Sequence, residues 1–180
     1  MQKKRSAKAP EKSGDQRLHL DRWLPYRLFI IAARVAEPLA DYYGPRYGLS
    51  QAAWRILATV GDKPGMSARQ IRHAAGLDQF ATSRAIAQLC ELGYAERNAA
   101  ERDKRRAEVH LTRQGQTVLD DLTTICLSIE NELWAGLSEK QRGELNALLD
   151  VIDKGSVGIA TRGLQGMAGD APAGSVPEDR

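Results

Sequence analysis

Four polar side chains crowd the first turns of one short helical stretch: Gln79, Thr82, Ser83 and Arg84, just after the turn at Gly76-Leu77. A second group follows. Arg102, Lys104, Arg105 and Arg106 surround Asp103 at a polar tip between segments 94–98 and 107–111, which have the pattern of hairpin strands. These residue types suit a nucleic-acid duplex. Glutamine pairs with adenine edges, serine and threonine reach bases or phosphates, and arginine reads guanine or clamps a phosphate. An arginine at a hairpin tip fits a narrow A·T-rich minor groove, where negative potential is concentrated. Asp103 is expected to shape the tip through an ion pair and not to face phosphate. Two plainer roles compete: Ser and Thr near a helix start also bond backwards to the backbone, and a charge run can simply be solvated.

The elements that must position these groups are legible around them. The body, about 18–154, reads as six helices and one hairpin, a mainly α fold with an α+β wing. Leu28, Ile31/Ala32, Val35 and Leu39 stripe a first helix, with Pro25 in its first turn and Pro38 at a frayed end or kink. Gly44-Pro45 is expected to break the chain. Ser50 caps a second helix over 51–60, which stops before the break at 61–65. Ser67 and Gln70 form a capping box opening a third helix that ends at Gly76. Ser67 and Arg69, at its start, join the DNA-facing candidates. Asp78 caps the fourth helix, whose inner face is assigned to Phe80 or Ala81, Ala85, Leu89 and Leu92; Gly93 ends it. The short turn between helices three and four makes a helix-turn-helix.

Thr112 caps a long fifth helix striped from Val118 to Leu133. Ser138 and Gln141 box the start of a sixth, with Leu145, Leu148, Leu149 and Ile152 on one face. These two helices carry more apolar stripe than a small winged domain needs. Unused stripe at both ends of the chain, Leu28 included, argues for burial against a second copy. Residues 1–16 are expected to be a disordered basic arm and 155–180 a disordered tail, flanking one domain over 17–154.

Charge distribution gives the helix and wing a direction. The net charge is +3, but residues 46–113 hold twelve Lys/Arg against seven acids, while 114–153 hold eight acids and two bases. The middle segment therefore carries the positive face for a polyanion. No apolar run approaches a membrane span and no secretory signal precedes the first helix. Cys90 and Cys126 fall in apolar helical patterns, so buried thiols and a cytoplasmic address are expected. His19, His73 and His110 lack metal-ligand spacing with either cysteine, and no phosphate loop or nucleophile motif occurs. No cofactor, no metal and no enzyme activity are expected.

Asp103-Lys104-Arg105, then Val109-His110-Leu111-Thr112 and Gly115, following Ser83-Arg84 and Leu89…Leu92-Gly93, resemble the signature of the MarR (multiple antibiotic resistance regulator) family. The similarity extends upstream through Gly48-Leu49-Ser50 and Trp54…Leu57, and downstream to Leu137-Ser138, covering about 18–153. Ala81 departs from it, since relatives often carry a polar residue there. The resemblance implies a winged helix-turn-helix with a DNA-binding lobe at about 48–113 and N- and C-terminal dimerisation helices. It implies a homodimer on double-stranded DNA with a pseudo-palindromic operator, acting as a repressor. Release by a small aromatic acid or phenolic ligand is also implied, bound between the dimerisation helices and the lobe.

In this chain that region includes His19, Trp23, Tyr26, Arg27 and Arg34 from the first helix, with Trp54 and Arg55 from the second. Trp23 and Trp54 would sandwich a ring while Arg27 or Arg55 holds a carboxylate bidentately. Against this, tryptophans are ordinarily core or interface, and the arginines have Asp21, Glu37 and Asp41 as partners. Further alternatives are a cysteine redox-switched repressor of the same fold, using Cys90 or Cys126, and an interaction module that no longer binds DNA.

Overall fold

A computed structural model describes residues 17–99 and 107–163. The elements in order are α1 (Leu24–Tyr47), α2 (Gln51–Asp62), β1 (Met66–Ser67), α3 (Ala68–Ala75), α4 (Gln79–Glu91), β2 (Ala95–Ala99), β3 (Ala107–Leu111), α5 (Arg113–Trp134) and α6 (Glu139–Arg162). The chain divides into two compact units, Met1–Ile125 and Cys126–Arg180.

In the first unit α2 is the central helix. Ala53, Ile56, Leu57 and Val60 recur at three- and four-residue steps, and all four are buried. Ile71 of α3, Ile86 and Leu89 of α4, Val109 of β3 and Leu122 of α5 complete this core. The sheet is antiparallel in the order β1-β3-β2, with Met66 and Arg97 both opposite Val109. Strand β1 was not expected from the sequence; two residues are too short to show an alternation.

Two boundaries differ from expectation. Gly44-Pro45 does not break the chain, and α1 continues through Pro38 and Pro45 to Tyr47. The helix stops instead at Gly48, in the left-handed conformation with φ 67°, its N–H bonded to Gly44 O at 2.8 Å. Buried Tyr43 and the hydroxyl contacts of Tyr42 and Tyr47 to Asp121 hold the last turns in place despite the missing proline donors. In the second unit, α6 runs to Arg162, so 155–162 is helix and not disordered tail. Gly155 and Gly158 each cost a helix about 1 kcal/mol relative to alanine, which is less than enough to end one that Gly163 terminates.

The expected caps are present. Ser50 accepts from Ala53 N–H, Asp78 from Ala81 N–H, and the Ser67–Gln70 and Ser138–Gln141 boxes both close. In the second unit, Arg142 donates from Nε to Leu137 O at 3.1 Å and from Nη2 to Trp134 O at 3.1 Å. It therefore seals the end of α5 from the first turn of α6. No residue of α6 is buried. The basic arm at 1–16 and the tail from 164 onwards lie outside the described residues.

Candidate nucleic-acid interface

The turn between α3 and α4 sets the geometry. Gly76 adopts φ 59°, its N–H reaches His73 O, and the Leu77 N–H bonds Arg72 O at 3.1 Å. Only a residue tolerant of the left-handed region closes α3 in this way. Asp78 then starts α4, accepting the Ala81 N–H at 2.8 Å. Arg69 and Arg72 on α3 and Gln79, Thr82 and Ser83 on α4 line a depression of ≈ 320 Å³. A second, of ≈ 290 Å³, is lined by Ser67, Arg69, Gln70 and His73. Arg69 lines both, placing a guanidinium between the two concavities. Gln79, Ser83 and Arg84 are exposed at the start of α4.

Two candidates take the plainer role. Thr82 is buried at 2% exposure, and its hydroxyl donates to Asp78 O at 2.7 Å. At the floor of the first depression its hydroxyl is spent on the backbone. The Ser67 hydroxyl is engaged by Gln70, donating to Oε1 at 2.7 Å and accepting the Gln70 N–H at 3.4 Å. It closes the cap of α3. Phe80 is also displaced from its expected place: it is 84% exposed, while Thr82 and Ile86 occupy the inner face of α4 beside Ala85 and Leu89. Arg72, not among the expected residues, lines the first depression as well; its three-residue step from Arg69 puts both on one face of α3.

Helix α4 is seated by Gln88. Its Nε2 donates to Gly48 O at 2.8 Å, and its Oε1 accepts from the Ser50 hydroxyl at 2.6 Å. The α1–α2 junction and α4 are thereby locked through one amide. Arg102, Asp103, Lys104, Arg105 and Arg106 lie outside the described residues; the last described pair before them is Ala99 opposite Ala107.

The residues expected to hold an effector do not form one group. Trp54 is half-buried against Tyr43, ring centroids 5.9 Å apart and tilted by 30°. Trp23 precedes α1 and is 46% exposed. Tyr43 lies twenty residues further along that helix, a rise of about 30 Å. A ring cannot be held between Trp23 and Trp54 of one chain. Arg55 stands elsewhere again, its Nη2 3.2 Å from where a β-carbon on Gly76 would be. It faces the helix-turn-helix turn. His19, Tyr26, Arg27 and Arg34 remain exposed at and before the first half of α1. Cys90 and Cys126 are half-buried free thiols, and burial pushes the Cys126 thiol up, against thiolate formation.

A polar cluster absent from the expected set ties α1 to α5. Asp121 accepts from the hydroxyls of Tyr47 at 2.5 Å and Tyr42 at 3.0 Å, with Arg46 Nε at 3.9 Å. Arg46 also donates to the Tyr47 hydroxyl at 3.0 Å. The hydrogen bonds from Tyr47 and then Tyr42 hold the Asp121 carboxyl below its ordinary value. The bond to Asp121 raises both phenols. The sign follows. A lowered carboxylate contributes stability above its unfolded value that is lost as pH falls through the folded one. Raised phenols contribute below their ordinary value and lose it as pH rises through the folded one. Asp121→Asn should therefore lower the Tm most between about pH 5 and 9, with the gap to wild type shrinking at both extremes. Melting both proteins from about pH 2 to pH 11 tests this; a gap that stays constant to both extremes would show that the cluster does not titrate with folding.

The fold and these residues find counterparts among known proteins. A sequence profile described as MarR family matches residues 47–106. The HTH-type transcriptional regulator BilQ of Clostridium symbiosum (strain WAL-14163) is 27% identical over 107 residues, 59% of this chain and 74% of that protein. A MarR-family transcriptional regulator from Silicibacter pomeroyi superposes with a TM-score of 0.67 at 26% identity, covering 74% of this chain and 90% of its own. The PcaV transcriptional regulator from Streptomyces coelicolor, solved in complex with its natural ligand, shares the fold with a TM-score of 0.59 at 16% identity. It covers 79% of this chain and 99% of its own. With its helix-turn-helix, its three-stranded sheet and these likenesses, the chain is similar to DNA-binding transcriptional regulators of the MarR family.

Proposed function

We propose that the chain acts as a homodimer on a pseudo-palindromic operator, as a repressor that a small aromatic acid or phenol releases. The observation that carries the dimer is α6. It exposes Leu145, Leu148, Leu149 and Ile152 and buries nothing. A helix with such a stripe gains its stability by packing, and a second copy is the partner always at hand. Leu28, Phe29 and Ile31 of α1 are likewise exposed.

On DNA, Gln79, Ser83 and Arg84 would face bases in the major groove, while Arg69 and Arg72 neutralise phosphates beside them. The sequence adds the basic tip at 102–106 for the minor groove. For the effector, the support is an exposed aromatic and guanidinium group at one end of α1, with Trp23, Tyr26 and Arg27 near His19, and the liganded state of the fold neighbour PcaV. Trp54 and Arg55 are left out because they pack elsewhere in the same chain.

Selection of duplexes from a random pool by the full-length chain tests the operator reading. Gln79→Ala and Arg84→Ala should then relax preference at separate positions, each costing about 1–3 kcal/mol against the preferred base. Uniform weakening on every duplex would reduce them to phosphate contacts. Aromatic carboxylates added to the same reaction should weaken binding about five- to 150-fold, and a broad panel without effect would remove the effector.

A further inference from the structure

Phe80 stands where an apolar side chain has no reason to be unless something covers it. At 3.6 residues per turn it lies opposite the side of α4 that buries Thr82, Ala85, Ile86 and Leu89. Arg84 and Ala87 share this outer face, with Ser83 beside it, and all are exposed. A lone exposed apolar residue is ordinary on a protein surface. Phe80 differs in its setting. It adjoins Gln79, which lines the same concavity as Arg69 and Arg72, so the surrounding chemistry is that of a polyanion's groove and not of an apolar protein surface.

The major groove offers one apolar group, the 5-methyl of thymine; every other edge is a donor or acceptor that a phenyl ring would strip of water without replacing it. We infer that Phe80 reads a thymine in each half-site by packing its ring on that methyl, while Gln79 and Ser83 supply the neighbouring hydrogen bonds. The inference rests on the assignment of α4 as the DNA-reading helix. It makes an apolar residue a specificity determinant, selecting against cytosine at that position through the exposed amino group the ring would desolvate.

The probe is a duplex selected by the wild-type full-length chain, in which each thymine is replaced singly by deoxyuridine. This removes the methyl and keeps base pairing intact. Wild type should lose about fourfold in affinity at one thymine per half-site, the value of one buried carbon, about 0.8 kcal/mol, and little at the others. Phe80→Ala should bind the parent duplex more weakly and be indifferent to the same replacement. Its Tm should match wild type, since the ring buries almost nothing. Wild type indifferent to every replacement, or wild type and Phe80→Ala losing affinity equally, overturns the methyl contact while leaving DNA reading by α4 intact. A pool from which no duplex is enriched overturns the DNA assignment itself, and the methyl contact with it.

Discussion

Replacing Gly115 with alanine should lower the unfolding free energy by about 2–4 kcal/mol, the largest loss expected from adding a single carbon to this chain. A β-carbon there would stand 1.9 Å from Tyr94 O, 2.8 Å from Tyr94 C and 3.1 Å from Tyr94 Cα. All three are backbone atoms, so no side chain can rotate away; the first turn of α5 must separate from the start of β2. That junction is held by Thr112. Its N–H bonds Tyr94 O at 3.0 Å, its hydroxyl donates to Gly93 O at 2.6 Å, and the same hydroxyl accepts the Gly115 N–H at 3.0 Å. Each such bond contributes about 1 kcal/mol, and separation strains them together. Thermal unfolding of the full chain should show a Tm lower by about 5–15 °C. Gly143→Ala is the control, because nothing lies within 4 Å of the added carbon on the exposed side of α6. It should raise stability by up to about 1 kcal/mol. A Gly115→Ala protein melting like wild type would mean that α5 moves aside without cost.

The second large effect is expected on assembly. Leu145 and Leu149 are four residues apart on one face of α6, with exposures of 38% and 37%. Leu145→Glu combined with Leu149→Glu places two carboxylates within a like-charged pair's reach and removes the apolar face that a second copy would cover. These side chains are not part of the core around α2, so that core should persist in each copy. Sedimentation should report a monomer where wild type is a dimer. Two lobes on one operator bind as a linked pair, and losing the link should cut affinity about 10²–10⁴-fold. A double variant that still sediments as the dimer would place the interface elsewhere.

Much of the frame was legible because it rests on local rules. The caps at Ser50, Ser67, Asp78 and Ser138 and the left-handed Gly76 depend on residues within a turn of one another, so spacing alone identifies them. Phe80 shows where such rules stop. Apolar weighting put it inside, yet the phase of α4 is set by Thr82, a polar residue made compatible with burial by its bond to Asp78 O. The proline positions misled for a related reason: tertiary anchoring of Tyr43 and Tyr47 outweighs the lost donors. The Asp121 cluster joins residues 74 and 79 positions apart, and no local periodicity carries that information. Trp23 and Trp54 are the same residue type, but Trp23 precedes α1 while Trp54, on α2, packs on Tyr43 near the far end of α1, a helix whose continuity was itself unforeseen.

The amide of Gln88 has one more consequence. From Ala53 N–H to the Ser50 hydroxyl, on to Gln88 Oε1, and from Gln88 Nε2 to Gly48 O, hydrogens are handed along in a single direction. Every member is neutral and none titrates. This lock between the α1–α2 junction and α4 therefore rests on no charge, unlike the arginines the helix presents. A salt titration of operator binding should then count ions released from the duplex, undistorted by any loosening of that lock.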